Sequence, residues 1–219
     1  MKKLVWLSLV CLLLAPLLSG CRHFGVKGSG VRKTESRVLQ SYKGIDATGA
    51  YQIEVTCQKS AVFEIEADDN ILPLIRTEVR DGTLYVSSEK SYNSSRPVTL
   101  RITLPDLTRV RTHGAGKVNI ADVSNDSLEI QSTGAADIEA AGKTKKVELE
   151  STGAGKIDTS NLRAEKASVV VTGAASVDVF ASEQLDVKVS GAGHVSYSGD
   201  PKVVNKSVNG IGSVSKKGQ

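Results

Sequence analysis

Gly153-Ala154-Gly155-Lys156-Ile157-Asp158 is the stretch that decides the fold, because the chain repeats its pattern six times. Before it come Gly114-Ala115-Gly116-Lys117-Val118 and Gly134-Ala135-Ala136-Asp137-Ile138. After it come Gly173-Ala174-Ala175-Ser176-Val177, Gly191-Ala192-Gly193-His194-Val195 and Gly210-Ile211-Gly212-Ser213-Val214. The leading glycines lie 20, 19, 20, 18 and 19 residues apart. A fixed period near twenty is the mark of a stacked repeat architecture.

Phase within the repeat separates core from surface. The fourth residue after each leading glycine is Val118, Ile138, Ile157, Val177, Val195 or Val214, all β-branched and apolar. The next is Asn119, Glu139, Asp158, Asp178, Ser196 or Ser215, all polar. Four residues before the glycines stand Val110, Ile130, Leu149, Val169, Val187 and Lys206, so the pattern holds five times and fails at the sixth. Each unit reads as strand, Gly-Ala corner, strand and polar loop, with side chains alternating inward and outward. One unit cannot bury its inward face alone, whereas units stacked in register bury Val on Val. An antiparallel sandwich gives no reason for one phrase to recur in one phase. The fold expected is all-β, a right-handed parallel β-helix or solenoid, since parallel crossovers are overwhelmingly right-handed. Small residues at the corner suit close backbone stacking, and glycine also permits the positive φ of a sharp bend.

Residues 37–108 form an irregular β block before the repeat stack of 109–217. Tyr51-Gln52-Ile53-Glu54-Val55-Thr56-Cys57, Val62 to Ala67 and Val98 to Leu104 alternate as half-buried strands. Asp81-Gly82 between Thr77–Arg80 and Thr83–Ser87 is a two-residue hairpin signal. An acidic residue of the Asp68-Asp69-Asn70 run could cap one helical turn over Ile71 to Ile75, shortened by Pro73. Thr48-Gly49-Ala50-Tyr51-Gln52-Ile53 matches the repeat phrase 65 residues before Gly114. The block therefore reads as a decorated first rung with a hairpin inserted. At the other end Ile211 replaces Ala and Lys206 sits at an inward phase, the atypical sequence expected of a terminal repeat. Lys202, Lys206, Lys216 and Lys217 would blunt the last edge.

The chain of 219 residues is 40% apolar but only 4% aromatic, which suits a thin β core. It carries 28 Lys and Arg against 24 Asp and Glu. Without Lys2 and Lys3 the balance falls from +4 to +2, with charges interspersed, which gives no basic stripe for nucleic acid. Met1-Lys2-Lys3 followed by the apolar run Leu4 to Leu18 reads as a secretory signal over residues 1–20. Leu18-Ser19-Gly20-Cys21 resembles the bacterial lipobox, in which the cysteine thiol accepts the lipid. The expected product is anchored to a membrane through Cys21. Arg22 rather than Asp after that cysteine leans, by resemblance to Gram-negative sorting rules, to the outer membrane. Residues 21–36, rich in Gly, Ser and Lys, read as a flexible tether. Cys57 is then the one unmodified cysteine, without an intramolecular partner and best read as a small buried hydrophobe.

Three features together carry a resemblance: the lipobox, the Asp68-Asp69-Asn70 … Asp81-Gly82-Thr83-Leu84 block before Leu104-Pro105-Asp106-Leu107, and the serial Gly-Ala phrases. The chain resembles the auto-transporter adhesin family with a head GIN domain, common in bacterial envelope proteins, over about residues 43–216. The resemblance implies an envelope protein with a binding role and offers no catalytic motif to carry over.

Several chemistries remain to be weighed on the residues. Gly153-Ala154-Gly155-Lys156 brushes against a phosphate loop but lacks the Gly-x4-Gly-Lys-Ser/Thr spacing and a following helix. The calcium nonapeptide is nearer, yet its acidic position becomes Asn119, Ser196 and Ser215 in other copies, so neither cofactor nor metal is expected. Stacking would put Glu139, Asp158 and Asp178 in one outward file, at about the 5 Å separation of retaining glycosidases. The neighbouring file Lys117, Asp137, Lys156 alternates in sign and would relieve that repulsion. His113, Thr133, Thr152, Thr172, Ser190 and Asn209 form a further file, expected to hydrogen-bond between rungs. His113 and His194 stand too far apart to share a metal. Asn93-Ser94-Ser95 matches a glycosylation acceptor, of little meaning in a bacterium. The reading is a non-enzymatic, lipid-anchored protein with a β-solenoid surface for a protein or glycan partner. Its alternatives are a glycan-active enzyme using the carboxylate file and a structural protein that self-associates.

Overall fold

The computed structural model describes residues 25–218. The expected signal segment and Cys21 lie outside the described residues. The chain is all-β, and its sheets are open rather than closed into a barrel. In order, the strands are β1 (Val26–Lys27), β2 (Arg32–Ser36), β3 (Gly44–Thr56), β4 (Val62–Asp68), β5 (Ile75–Arg80), β6 (Thr83–Ser88), β7 (Tyr92–Asn93) and β8 (Val98–Thr103). The repeat region contributes β9 (Arg109–Gly153), β10 (Lys156–Gly173), β11 (Ser176–Phe180), β12 (Gln184–Gly191), β13 (His194–Ser198), β14 (Val203–Gly210) and β15 (Ser213–Lys216).

The repeat phrases pair with one another, in parallel and in register. Ile157 lies opposite Ile138 and Val177, Val177 opposite Val195, and Val195 opposite Val214. The upstream file runs Leu149, Val169, Val187, Lys206 through successive pairs. Val118, Ile138, Ile157, Val177 and Val195 are all buried, as are Val110, Ile130, Leu149, Val169 and Val187. Each such side chain contributes about 1.5–3 kcal/mol by leaving water. Lys206 does not enter the core, because no strand among the described residues covers β14 and β15 on their far side. Its ammonium lies 4.8 Å over the Tyr197 ring instead, and Ile211 stays 89% exposed.

The corners stack backbone on backbone. The leading glycines from Gly49 to Gly210 all have φ between +120° and +148°. The N–H of Ala154 donates to the Gly134 carbonyl at 2.9 Å, that of Ala174 to Gly153 at 2.9 Å, and that of Ala192 to Gly173 at 2.9 Å. A Cβ placed on Gly153 would stand 2.1 Å from the Gly134 carbonyl oxygen. Glycine is required there for both space and φ.

The early phrase is a rung of the same stack, with Gly49 opposite Gly114 and Ile53 opposite Val118. What the period does not reveal is that the other edge of β3 is also covered by parallel strands. Gly44–Ala47 pairs with Thr83–Val86 of β6, and Tyr51–Thr56 pairs with Val98–Thr103 of β8. The spatial order is therefore β8, β3, β9, although β3 comes first in the chain. β4 and β2 continue outward from β8 in antiparallel fashion. Phe63 and Ile65 of β4 join Leu100 and Ile102 in the core. The hairpin forms as expected, β5 against β6, with Asp81 and Gly82 both at positive φ.

Two expectations are corrected. Within the segment read as a tether, the described residues 25–36 carry strands: β1 pairs with β7 and β2 pairs with β4. Arg32 in β2 reaches Glu66 at 3.3 Å and the buried Asp68 at 3.8 Å, contacts that a Gly- and Lys-rich composition does not disclose. The turn at Leu72–Leu74 is a single 3-10 turn whose first residues receive no side-chain cap. The carboxylate of Asp68 accepts from Ser94 Oγ at 2.9 Å instead, while its carbonyl accepts from the Ile71 N–H at 2.8 Å.

Replacing Gly153 by Ala should lower stability by about 2–4 kcal/mol, since both φ and the stacked carbonyl oppose a Cβ. Ala154→Ser, at the exposed neighbouring position, should stay within about 0.5 kcal/mol of the parent. Urea unfolding of both variants checks the contrast.

Candidate functional site

β9, β10 and β11 run side by side in register, so residues at equivalent phases form outward files. Asp158 lies opposite Glu139 on one side and Asp178 on the other. The structure thus brings together the three carboxylates singled out in the sequence, on strands spaced about 4.8 Å apart. The neighbouring file sets Lys156 opposite Asp137 and Ser176.

Charge pairing links the two files. Lys117 Nζ lies 3.0 Å from Glu139 Oε1. Lys156 Nζ lies 3.1 Å from Asp158 Oδ2 and 3.5 Å from Asp178 Oδ2, bridging both. Burial alone would raise the Asp158 carboxyl. Hydrogen bonds from Ser160 Oγ, Lys156 and the Ser160 N–H, with the Lys156 charge, outweigh it and hold the group below its ordinary value of 3.8. Ser160 Oγ donates to Asp158 Oδ1 at 2.6 Å. A glycosidase acid needs the opposite arrangement, a carboxyl kept protonated by an apolar pocket. The recess beside the file, about 220 Å3, is lined by Asn119, Glu139, Ala140, Asp158 and Asn161, smaller than pockets that enclose small ligands, which run about 300–1,000 Å3.

The remaining candidates are dispersed. His113 Nε2 is 3.6 Å from Asp46 Oδ1, whereas His194 Nδ1 meets Ser213 Oγ at 2.5 Å, several rungs away. Thr152, Thr172, Ser190 and Asn209 do fall in register. Thr152, Thr172 and Asn209 point to solvent, and no hydroxyl ladder joins this file between rungs among the described residues. In this file the inter-rung bonding is left to the backbone. Cys57 is buried, and burial, aided by Asp106 and Asp122, pushes its thiol from 9.0 up to about 11. It remains a protonated thiol at neutral pH, a poor nucleophile. Among the described residues no three His, Cys, Asp or Glu side chains gather as a metal centre would require.

A larger cleft, about 400 Å3, lies between the second half of β3 and the segment from β7 to β8. Tyr51, Gln52, Tyr92, Arg96, Pro97 and Lys117 line it. The sequence carries a signal for it that periodicity alone passes over. Tyr51 lies opposite Gly116, at a phase where the other copies have only Gly or Ala: Gly116, Ala136, Gly155, Ala175, Gly193 and Gly212. Tyr51 is buried, and its hydroxyl has no hydrogen-bond partner among the described residues. The Tyr92 hydroxyl donates to the Ala50 carbonyl at 3.3 Å, tying β7 to the same corner.

Comparison with known proteins agrees with this architecture. A putative adhesin from Bacteroides fragilis NCTC 9343 is similar in structure, with a TM-score of 0.72 and 26% identity over 88% of this chain and 100% of that one. A putative lipid binding protein from Parabacteroides distasonis ATCC 8503 and a putative adhesin from Parabacteroides merdae ATCC 43184 share the fold. Their TM-scores are 0.56 and 0.57 and their identities 22% and 21%, each over 88% of this chain and 99% of the other. No curated protein matches the sequence significantly. The family model described as putative auto-transporter adhesin, head GIN domain, matches residues 41–201. The chain belongs to that family.

Proposed function

We propose that this protein is a non-enzymatic binding protein of the bacterial cell envelope, held by a lipid on Cys21 and probing its surroundings with the outward faces of a right-handed β-solenoid. The observation that carries this reading is the ion pairing of the outward carboxylates. Glu139, Asp158 and Asp178 are each held by a lysine, and Asp158 is held ionised. A surface so paired is regular, which presentation of a binding face needs, and Asp158 at its centre is not poised to protonate a leaving group. Membership of an adhesin family supports the same reading. Anchoring rests on the lipobox at Leu18 to Cys21, and placement in the outer membrane on Arg22.

The titration of Asp158 tests the electrostatic part. Its lowered carboxyl stabilises the fold above the ordinary carboxylate range, and this contribution is lost as pH falls through the folded-state value. Asp158→Asn should therefore cost stability at pH 7, by less than about 1 kcal/mol for a partly exposed pair. It should match the parent below about pH 2, where both states are protonated. A carboxyl titrating near 6 by NMR would instead mark a general acid and defeat the non-enzymatic reading. Replacing Cys21 by Ser should move the protein from the membrane to the soluble fraction; unchanged fractionation would refute the anchor.

A further inference from the structure

The cleft beside β3 brings an aromatic ring, a guanidinium and a side-chain amide to one place. Its volume, about 400 Å3, falls within the range of small-ligand sites. One wall is the half-buried ring of Tyr92. At its rim Arg96 donates to the Gly30 carbonyl at 3.1 Å and has no carboxylate partner among the described residues. Lys117, the other cation lining the cleft, is committed to Glu139. Within the cleft the Gln52 amide donates to Glu54 at 2.8 Å, which fixes its orientation and leaves its carbonyl oxygen to accept.

The chemistry of these groups selects a ligand class. A tyrosine ring offers an apolar face with a polar edge, suited to the C–H face of a pyranose. A guanidinium with free N–H donors suits a planar or tetrahedral anion, which it grips in bidentate fashion. Hydroxyls around the same ligand match the amide. We propose that this cleft binds one acidic saccharide unit, its ring on Tyr92 and its carboxylate or sulfate on Arg96. The assignment rests on the reading of the protein as one that binds rather than cleaves, and it names the ligand class of that binding.

Among the described residues the cleft occurs at one place. It is built from the insertion between β6 and β8, which interrupts the rung at Thr83–Thr103 and has no counterpart in the later rungs. A ligand of the repeat faces would bind in several copies, whereas a ligand of this cleft binds one to one.

Isothermal titration of the full-length protein in detergent is the test, with trigalacturonate as the carboxylate probe, a chondroitin sulfate tetrasaccharide as the sulfated probe, and maltotriose as the neutral one. At least one acidic probe should bind at one per chain, and maltotriose at least tenfold more weakly. Arg96→Ala and Tyr92→Ala should each weaken the acidic probe at least tenfold, with Arg96→Lys between. Both residues lie at the surface of the cleft, and an unchanged thermal midpoint shows that the fold survives. The relative strength of the two acidic probes identifies the anion. Equal binding by the Arg96→Ala variant, equal binding of maltotriose, several ligands per chain, or no binding of either acidic probe would overturn the assignment while leaving a binding protein. Chain cleavage of a probe, seen by mass spectrometry, would overturn the binding reading itself.

Discussion

Backbone meeting backbone at the corners is the constraint on which the remainder depends. Gly134, Gly153, Gly173 and Gly191 each accept, through the carbonyl, an N–H from the next rung, and the following leading glycine lies so close that its own Cβ would crowd that oxygen. Close stacking at one corner sets the register of both flanking strands, because a one-residue slip would turn every inward side chain to solvent. The Val and Ile files are buried because the glycines align. The core is accordingly thin and needs few aromatics. The residues that break the small-residue rule, Tyr51 above all, then stand out as local departures with local consequences.

The same register that builds the core places like charges beside one another on the outside. Parallel, in-register repeats stack each residue on its own equivalent, so any carboxylate kept from copy to copy becomes a column of negative charge. The chain relieves this by setting its lysines two positions away, on the same face of the strands. Lys156 then reaches Asp158 on its own strand and Asp178 on the next, and neutralises part of both. Single exposed pairs of this kind add little stability. Their main effect is to make the column tolerable.

Much of the repeat region was legible in the sequence because period and phase are properties of a one-dimensional string. The inward positions Val118 to Val195, the failing phase at Lys206 and the hairpin at Asp81-Gly82 all follow from spacing and turn chemistry. The N-terminal strands were less legible. Arg32–Ser36 has little apolar alternation, and its place in the sheet depends on an ion pair with residues more than thirty positions away. The double coverage of β3 was hidden for another reason: the insertion before Val98 breaks the period that would have marked Thr83–Thr103 as a rung. The carboxylate file could be derived from phase, but its pairing with lysine on the diagonal and the lowered Asp158 carboxyl needed coordinates. The cleft was visible only as one tyrosine out of step.

The order β8, β3, β9 also bears on how the molecule assembles. Neighbouring rungs in the repeat join positions about 19 residues apart, such as Asp137 and Lys156. Joining Gly44 to Arg109 spans 65 residues. With closure entropy growing as the logarithm of length, the longer loop costs about 1 kcal/mol more before any contact rewards it. β3, made early, must therefore wait with both edges open for partners that follow it in the chain. The short-range rungs can zip among themselves meanwhile. That difference favours an order in which β3 is sealed between its two neighbours late, as the keystone of a stack whose later courses are already laid.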